Sequence, residues 1–161
     1  MNRIRPWLRQ RNVHLTEYRR EDEVDFTPTA CSYTLSMNIN PRSHSRLATA
    51  LHECGHVLIF QQRRRFRDKT IAGLSYRAWS KAPCDINRRS VSRKYLKGAF
   101  EEERIAWLRG WALGRRLGIQ LCSKHFLRIM KRSLKTYSRS WALPMPPEAQ
   151  LMLVPRSKSE A

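Results

Sequence analysis

The sequence predicts an α+β domain that is rich in helix and has a small antiparallel or mixed sheet. An alternating apolar and polar segment at 32–39 has the period of a half-buried strand. Two longer segments, 98–118 and 122–141, carry apolar residues at the period of an α-helix. Strands early in the chain, followed by a run of helices, are typical of an α+β arrangement.

The N-terminal part is predicted to contain short elements. Residues 1–12 are basic around Trp7 and are expected to form a short helix or an arm. The segment 13–18 alternates apolar and polar residues, which predicts a strand. The acidic cluster that follows is interpreted as a solvated turn, and it comprises Glu21, Asp22, Glu23 and Asp25.

Three helices are predicted after the 32–39 strand. The first begins at a serine cap at position 43 or 45 and runs to about residue 62. The second spans 98–118 and stops at a glycine, and the third spans about 122–141. Prolines and a polar ending predict a flexible tail at 143–161, so residues 1–142 are expected to form a single domain.

The chain is strongly basic. Its 161 residues include 32 Lys and Arg against 13 Asp and Glu, which gives a formal net charge of +19. Such a surface attracts polyanions, most simply DNA or RNA, and simple solvation is the alternative. The cations concentrate in a predicted insertion at about 63–97 and along one face of the last helix. That face consists of Lys124, Arg128, Lys131, Arg132, Lys135 and Arg139.

The cysteines indicate a reducing environment. The four of them are widely spaced and form no CxxC pair, which excludes a zinc ribbon. Cys54 lies inside a predicted helix, so a secreted disulfide framework is not expected. The first residues lack the apolar core of a signal peptide, and we predict a cytoplasmic protein without a transmembrane segment.

The segment 52–56 carries the HExxH pattern as HECGH. Residues four apart lie on the same face of a helix, so His52 and His56 can present two imidazole nitrogens to one zinc ion. Glu53 lies close to that point without being needed as a ligand, and it can accept a proton from water at the metal. The apolar residues on both sides of the motif favour a buried helix.

A third ligand is expected from the 98–118 helix. Glu103 lies on a row that is otherwise small or apolar, and the row comprises Ala99, Ala106, Gly110, Leu113 and Leu117. A carboxylate on such a row would be buried in a close helix contact, and buried carboxylates need a partner. Zinc on the two histidines supplies one. Glu102 shares a row with Arg109 and remains the alternative ligand, whereas Glu101 is ambiguous.

Two segments resemble gluzincin-type zinc metallopeptidases, especially the small ImmA/IrrE-like and phage-encoded ones. LHECGHVL is similar to their active-site helix, and EEERIAWLRGWALGRRLGI is similar to their second ligand helix. The resemblance implies a zincin-like fold, peptide hydrolysis, zinc on His52, His56 and Glu103, and Glu53 as the general base. It also implies a phage or mobile-element origin, and a strand at 32–39 that offers an edge to an extended peptide.

The chain departs from these relatives in two respects. Their ligand helix usually continues into an Ala-Asn pair and a later LLMP-like stretch, and neither occurs in this sequence. The basic insertion between His56 and Glu103 is also unusually long. The identity of a substrate therefore does not carry over from the resemblance.

Two other functions stay open on the sequence alone. The chain could be a basic nucleic-acid-binding protein with a structural zinc site, in which Cys54 or His125 closes the fourth coordination position. It could also be an inactive zincin-like module that binds other proteins. A catalytic site, in contrast, keeps one coordination position open and leaves Glu53 off the metal.

Overall fold

The computed structural model describes residues 1–18, 25–28, 33–38, 45–61 and 93–147, and every structural statement below concerns these residues. The elements in chain order are α1 (Ile4–Arg9), β1 (Val13–Tyr18), β2 (Asp25–Pro28), β3 (Tyr33–Asn38), α2 (Arg46–Gln61), α3 (Arg93–Arg116) and α4 (Ser123–Trp141). Helix predominates and the sheet is small, which confirms this part of the predicted fold.

The three described strands form a mixed sheet in the order β1-β3-β2. β1 runs parallel to β3, with Val13 opposite Tyr33, and β2 runs antiparallel to β3, with Phe26 opposite Leu35. The strand predicted at 32–39 is therefore the middle strand of the described sheet. Our expectation that it forms an edge was wrong, because both of its sides are already paired.

The sequence interpretation missed β2. It assigned Asp25 to an acidic turn, whereas the structure places Asp25 at the start of a four-residue strand that ends at Pro28. A strand this short shows too little alternation to be recognised. Its last residue is a proline, which strands tolerate where the missing N–H faces away from the partner. The other acidic residues of that cluster and the 29–32 segment lie outside the described residues.

Helices α2 and α3 touch backbone to backbone. A Cβ added at Gly55 would overlap the carbonyl of Ala106, and one at Gly110 would overlap the carbonyl of Leu51. Ala106 is fully buried, as the small-residue row on α3 predicts. Gly55 of the HECGH segment therefore lies at a point where the backbone of α3 approaches α2 closely, and a larger residue would not fit there.

The main core lies between α2, α3 and α4, with α1 packed at one end. Its largest fully buried side chains are Trp107, Phe126, Ile4, Leu8, Leu51, Leu113, Met130, Leu134 and Val57. The end of α3 is closed by Gly118, whose φ of +62° is the left-handed conformation that glycine adopts readily. Arg3 donates hydrogen bonds to the carbonyl oxygens of Leu117 and Gly118, which joins α1 to this end.

Two boundaries differ from the sequence predictions. α3 begins at Arg93, five residues before the predicted start at residue 98, so the last residues of the basic insertion are helical. Leu143, which was predicted to start the flexible tail, is 6% exposed and packs in the core. The basic segment 62–92 and the tail from residue 148 lie outside the described residues. None of the described helices combines the length and the apolar character needed to cross a membrane.

The helix contact yields a prediction about stability. Gly110→Ala should destabilise the protein by about 3 kcal/mol or more, since backbone atoms of α2 cannot move aside as side chains do. The same substitution at Gly114 is the matched control, because its new methyl group would meet only the side-chain ends of Leu121 and Leu51. Urea unfolding monitored by circular dichroism measures both. Equal stability of the two variants would contradict the packing described above.

Candidate metal centre

The two histidines of the motif lie one helical turn apart on the side of α2 that faces α3. Their ring centroids are 4.7 Å apart and the ring planes cross at 79°. His52 is 5% exposed and the His56 side chain 14% exposed, so both rings are largely shielded from solvent. The four-residue spacing places both imidazoles in one buried space, as the motif predicts.

Glu103 enters the same space from α3. Its Oε2 lies 3.2 Å from His52 Nε2, and its Oε1 lies 3.5 Å from His56 Nε2. One donor atom from each of the three residues lies within 4.8 Å of the other two. In a tetrahedral site with zinc bonds of about 2.0–2.1 Å, neighbouring donor atoms are about 3.3 Å apart. The spacings around Glu103 are therefore compatible with a shared metal ion.

The chemistry of the cluster also fits a metal ion. Glu103 is 3% exposed, yet its Oε2 has no hydrogen-bond partner among the described residues. A buried carboxylate oxygen without a hydrogen bond is costly unless a cation compensates for the lost water. Two imidazoles and one carboxylate suit zinc and several other divalent transition ions, so the donor set fits a metal without fixing its identity.

Glu53 lies beside the cluster without belonging to it. Its Oε1 is 3.5 Å from His52 Nε2, and the residue is 8% exposed. Glu53 is the residue next to His52 on α2, and its carboxylate approaches the same ring nitrogen as the carboxylate of Glu103. The carboxylate is thus within reach of a molecule at the metal position, as a general base must be.

Burial and charge act in opposite directions on the three clustered side chains. Burial lowers the pKa of His52, and contacts with Glu103 offset that effect only in part. Burial would also lower the pKa of His56, but the carboxylates of Glu103 and Glu102 outweigh it and raise that pKa well above its usual range. Burial would raise the pKa of Glu103, but the two imidazoles lower it below its usual range. Glu103 is therefore ionised, the state in which a carboxylate binds a metal.

Trp107 supports His52 from α3. The two rings are stacked, with centroids 4.3 Å apart and planes 20° apart. Phe126 of α4 meets the indole at 5.4 Å in an edge-on arrangement. The sequence interpretation noted Trp107 only as a position of family resemblance. Its spacing of four residues from Glu103 was the available signal, since both then lie on the face of α3 that meets α2.

The three consecutive glutamates of α3 have separate surroundings. Glu101 forms an ion pair with Arg104, in which Nε and Oε2 are 2.8 Å apart. The carboxylate of Glu102 lies 3.7 Å from His56 Nδ1, on the opposite side of the ring from the cluster. Only Glu103 faces both histidines. The structure therefore brings Glu103 into the candidate metal centre and keeps the alternative, Glu102, at its margin.

Neither residue considered as a fourth ligand joins the cluster. The described residues that could hold a metal are His52, His56 and Glu103. Cys54 is buried, and burial raises the pKa of its thiol, which opposes the thiolate form that binds zinc. His125 lies on α4, where Arg128 is 2.9 Å from its Nδ1. A structural site closed by either residue has no support in the described part of the chain.

Comparisons of the chain with protein-family models, with curated proteins and with solved structures found no match.

The cluster predicts metal content. The purified protein should bind about one divalent ion per chain, while His52→Ala and Glu103→Ala should lose it because each removes one of three donors. His125→Ala is the matched control, a histidine change outside the cluster. Elemental analysis after dialysis against zinc gives the stoichiometry. Retention of the metal by Glu103→Ala would remove that residue from the centre.

Proposed function

We propose that the protein is a zinc-dependent peptidase with a zincin-like fold. The observation that carries the proposal is the convergence of His52, His56 and Glu103 in one buried space, with the Glu53 carboxylate beside it. Two histidines and a glutamate leave a coordination position for reactants, which is the pattern of catalytic zinc and not of closed structural sites. The resemblance of the two helices to gluzincin-type peptidases supports the same function.

The roles follow from the positions of the side chains. His52, His56 and Glu103 would hold zinc, which supplies Lewis-acid polarisation of a carbonyl and lowers the pKa of water to about 7. Glu53 takes the proton of the attacking water and passes it to the leaving amine. Trp107 keeps the His52 ring in its orientation. Burial of the cluster limits bulk water, which strengthens each of these electrostatic interactions.

The sheet offers a place for an extended substrate. β2 and β3 both contact α2, the helix that carries the motif. β3 is paired on both sides, so the free edge near α2 in the described sheet belongs to β2, Asp25–Pro28. We propose that a peptide chain adds to this edge, where backbone hydrogen bonds would hold it extended across the site.

The role of Glu53 gives a direct test of catalysis. Glu53→Gln should keep the metal and the fold while hydrolysis falls by a factor of about 10²–10⁴, the usual contribution of a general base. The matched control is Glu101→Gln, which changes a carboxylate paired with Arg104. A mixture of unstructured peptides, followed by mass spectrometry, detects cleavage without knowledge of the natural substrate.

Two outcomes of that experiment would change the interpretation. Loss of metal in Glu53→Gln would make Glu53 a ligand and would contradict its role as the base. A wild-type protein that binds zinc and cleaves nothing would favour the inactive interaction module. Wild-type cleavage that requires both zinc and Glu53 would support the peptidase.

A second proposed property is binding of nucleic acid through α4. The helix contains no acidic residue, and its six cations fall within one face at about 100° per residue, although Lys131 and Arg132 are adjacent in the chain. All of them are exposed except Lys131, which is half-buried. Phe126, Met130 and Leu134 are buried on the opposite face, so the cations point away from the core. An exposed row of cations on a helix that carries no acidic residue suits a phosphate backbone.

The functional consequence would be targeting. A peptidase held on DNA or RNA meets proteins bound to the same molecule at a high effective concentration. We therefore propose nucleic-acid-associated proteins as the substrate class. A cytoplasmic location is part of this proposal, and the buried free thiol of Cys54 is compatible with a reducing compartment.

The charge hypothesis predicts a defined salt dependence. The double variant Arg132→Ala/Lys135→Ala should bind duplex DNA with a weaker salt dependence. The slope of log affinity against log salt should be smaller by about 1.8, because each phosphate that is no longer neutralised contributes about 0.9. Arg115→Ala/Arg116→Ala removes the same charge from exposed positions on α3 and is the matched control. Fluorescence anisotropy at several salt concentrations measures both. An equal change in the two variants would mean that only the total charge matters.

A further inference from the structure

Glu102, the second of the three consecutive glutamates of α3, lies close to His56 although it is not one of the candidate metal ligands. Glu101 is held by Arg104 and Glu103 by the two histidines, whereas Glu102 faces His56 from the outer side of the ring. Its side chain is 15% exposed, against 32% for Glu101 and 4% for Glu103. Successive helix residues point about 100° apart, so three adjacent carboxylates reach three different surroundings.

The two nitrogens of the His56 ring face two different carboxylates. Nε2 lies 3.5 Å from Glu103 Oε1, on the side of the cluster, and Nδ1 lies 3.7 Å from Glu102 Oε1. An imidazole that gives the lone pair of one nitrogen to a metal carries its proton on the other nitrogen. For His56 that proton would sit on Nδ1. Glu102 is the acceptor that lies on that side.

His52 lacks such support. Its Nδ1 is buried and has no hydrogen-bond partner among the described residues, and its ring is held by stacking on Trp107. The two histidines are thus supported in different ways by the same helix, one through an aromatic face and one through a carboxylate. His56 is also the more exposed of the two, so packing restrains its ring less.

We propose that Glu102 is a positioning residue of the metal centre, whose carboxylate accepts the Nδ1–H hydrogen bond of His56 and so fixes the tautomer and orientation of that ring. This inference rests on the proposed metal site. The present separation is a few tenths of an ångström longer than a hydrogen bond, so a small rotation of either side chain closes it. Carboxylates behind ligand histidines raise the basicity of the ligand nitrogen and strengthen metal binding.

The test compares three variants by the affinity for zinc in competition with a chromogenic chelator. Glu102→Ala should weaken binding about 10–100-fold, which is the usual effect of losing such a partner. Glu102→Gln should recover most of the loss, because its amide oxygen still accepts a hydrogen bond. Glu101→Ala, which removes a neighbouring carboxylate from the same turn, should bind like the wild type.

A spectroscopic measurement separates orientation from charge. In the zinc-loaded protein, long-range ¹H–¹⁵N spectra should show His56 protonated on Nδ1 in the wild type and in Glu102→Gln. In Glu102→Ala that proton should exchange faster with water, since the carboxylate no longer shields it. Circular dichroism checks that each variant is folded, and the isosteric Glu102→Gln keeps the comparison valid if Glu102→Ala unfolds.

Four results would overturn the proposal. Wild-type affinity in Glu102→Ala would remove the role, and an equal loss in Glu101→Ala would reduce it to general electrostatic attraction. A loss as complete as that of Glu103→Ala would make Glu102 a ligand. Absence of zinc binding by the wild-type protein would overturn the metal centre itself, and this inference would fail with it.

Discussion

The backbone contact between α2 and α3 determines the geometry of the candidate centre. Gly55 lies between the two histidines in the chain and meets the carbonyl of Ala106, while Gly110 meets the backbone of Leu51 and His52. Both close approaches are therefore at the level of the clustered side chains. At an ordinary helix separation of about 8–10 Å, side chains fill the interface. Here the two glycines have no side chains, so the helices approach closely and the Glu103 carboxylate reaches both imidazoles.

That proximity creates an electrostatic problem which a cation would solve. Glu103 is buried and ionised between two imidazoles, and the pKa values of the two rings are displaced in opposite directions. A proton on one ring balances the charge of Glu103, but it engages that ring alone. A divalent ion satisfies both rings and the carboxylate together. Such an ion would also give a partner to the Glu103 oxygen that has no hydrogen bond among the described residues.

The candidate centre was more predictable than the sheet, for physical reasons. The spacing of His52 and His56 follows from helix periodicity, and the small-residue row around Glu103 encodes how closely the helices approach. β2 depends on pairing with β3, which no local pattern reveals. Glu102 and Glu103 contact opposite sides of the His56 ring, and this arrangement depends on how α3 is rotated relative to α2. Helix periodicity shows which residues share a face, but it does not determine how α3 is rotated about its own axis.

The two faces of α4 have different surroundings. On the inner face, Phe126 packs against Trp107, and Trp107 stacks on His52, so the helix supports a clustered histidine through two aromatic rings. On the outer face lie the exposed cations, such as Arg132 and Lys135. An α-helix is stiff, so residues on opposite faces can change independently when the core contacts remain. Charge on α4 can therefore vary without disturbing the His52 ring, so a variant that loses the proposed nucleic-acid binding can keep the candidate metal centre.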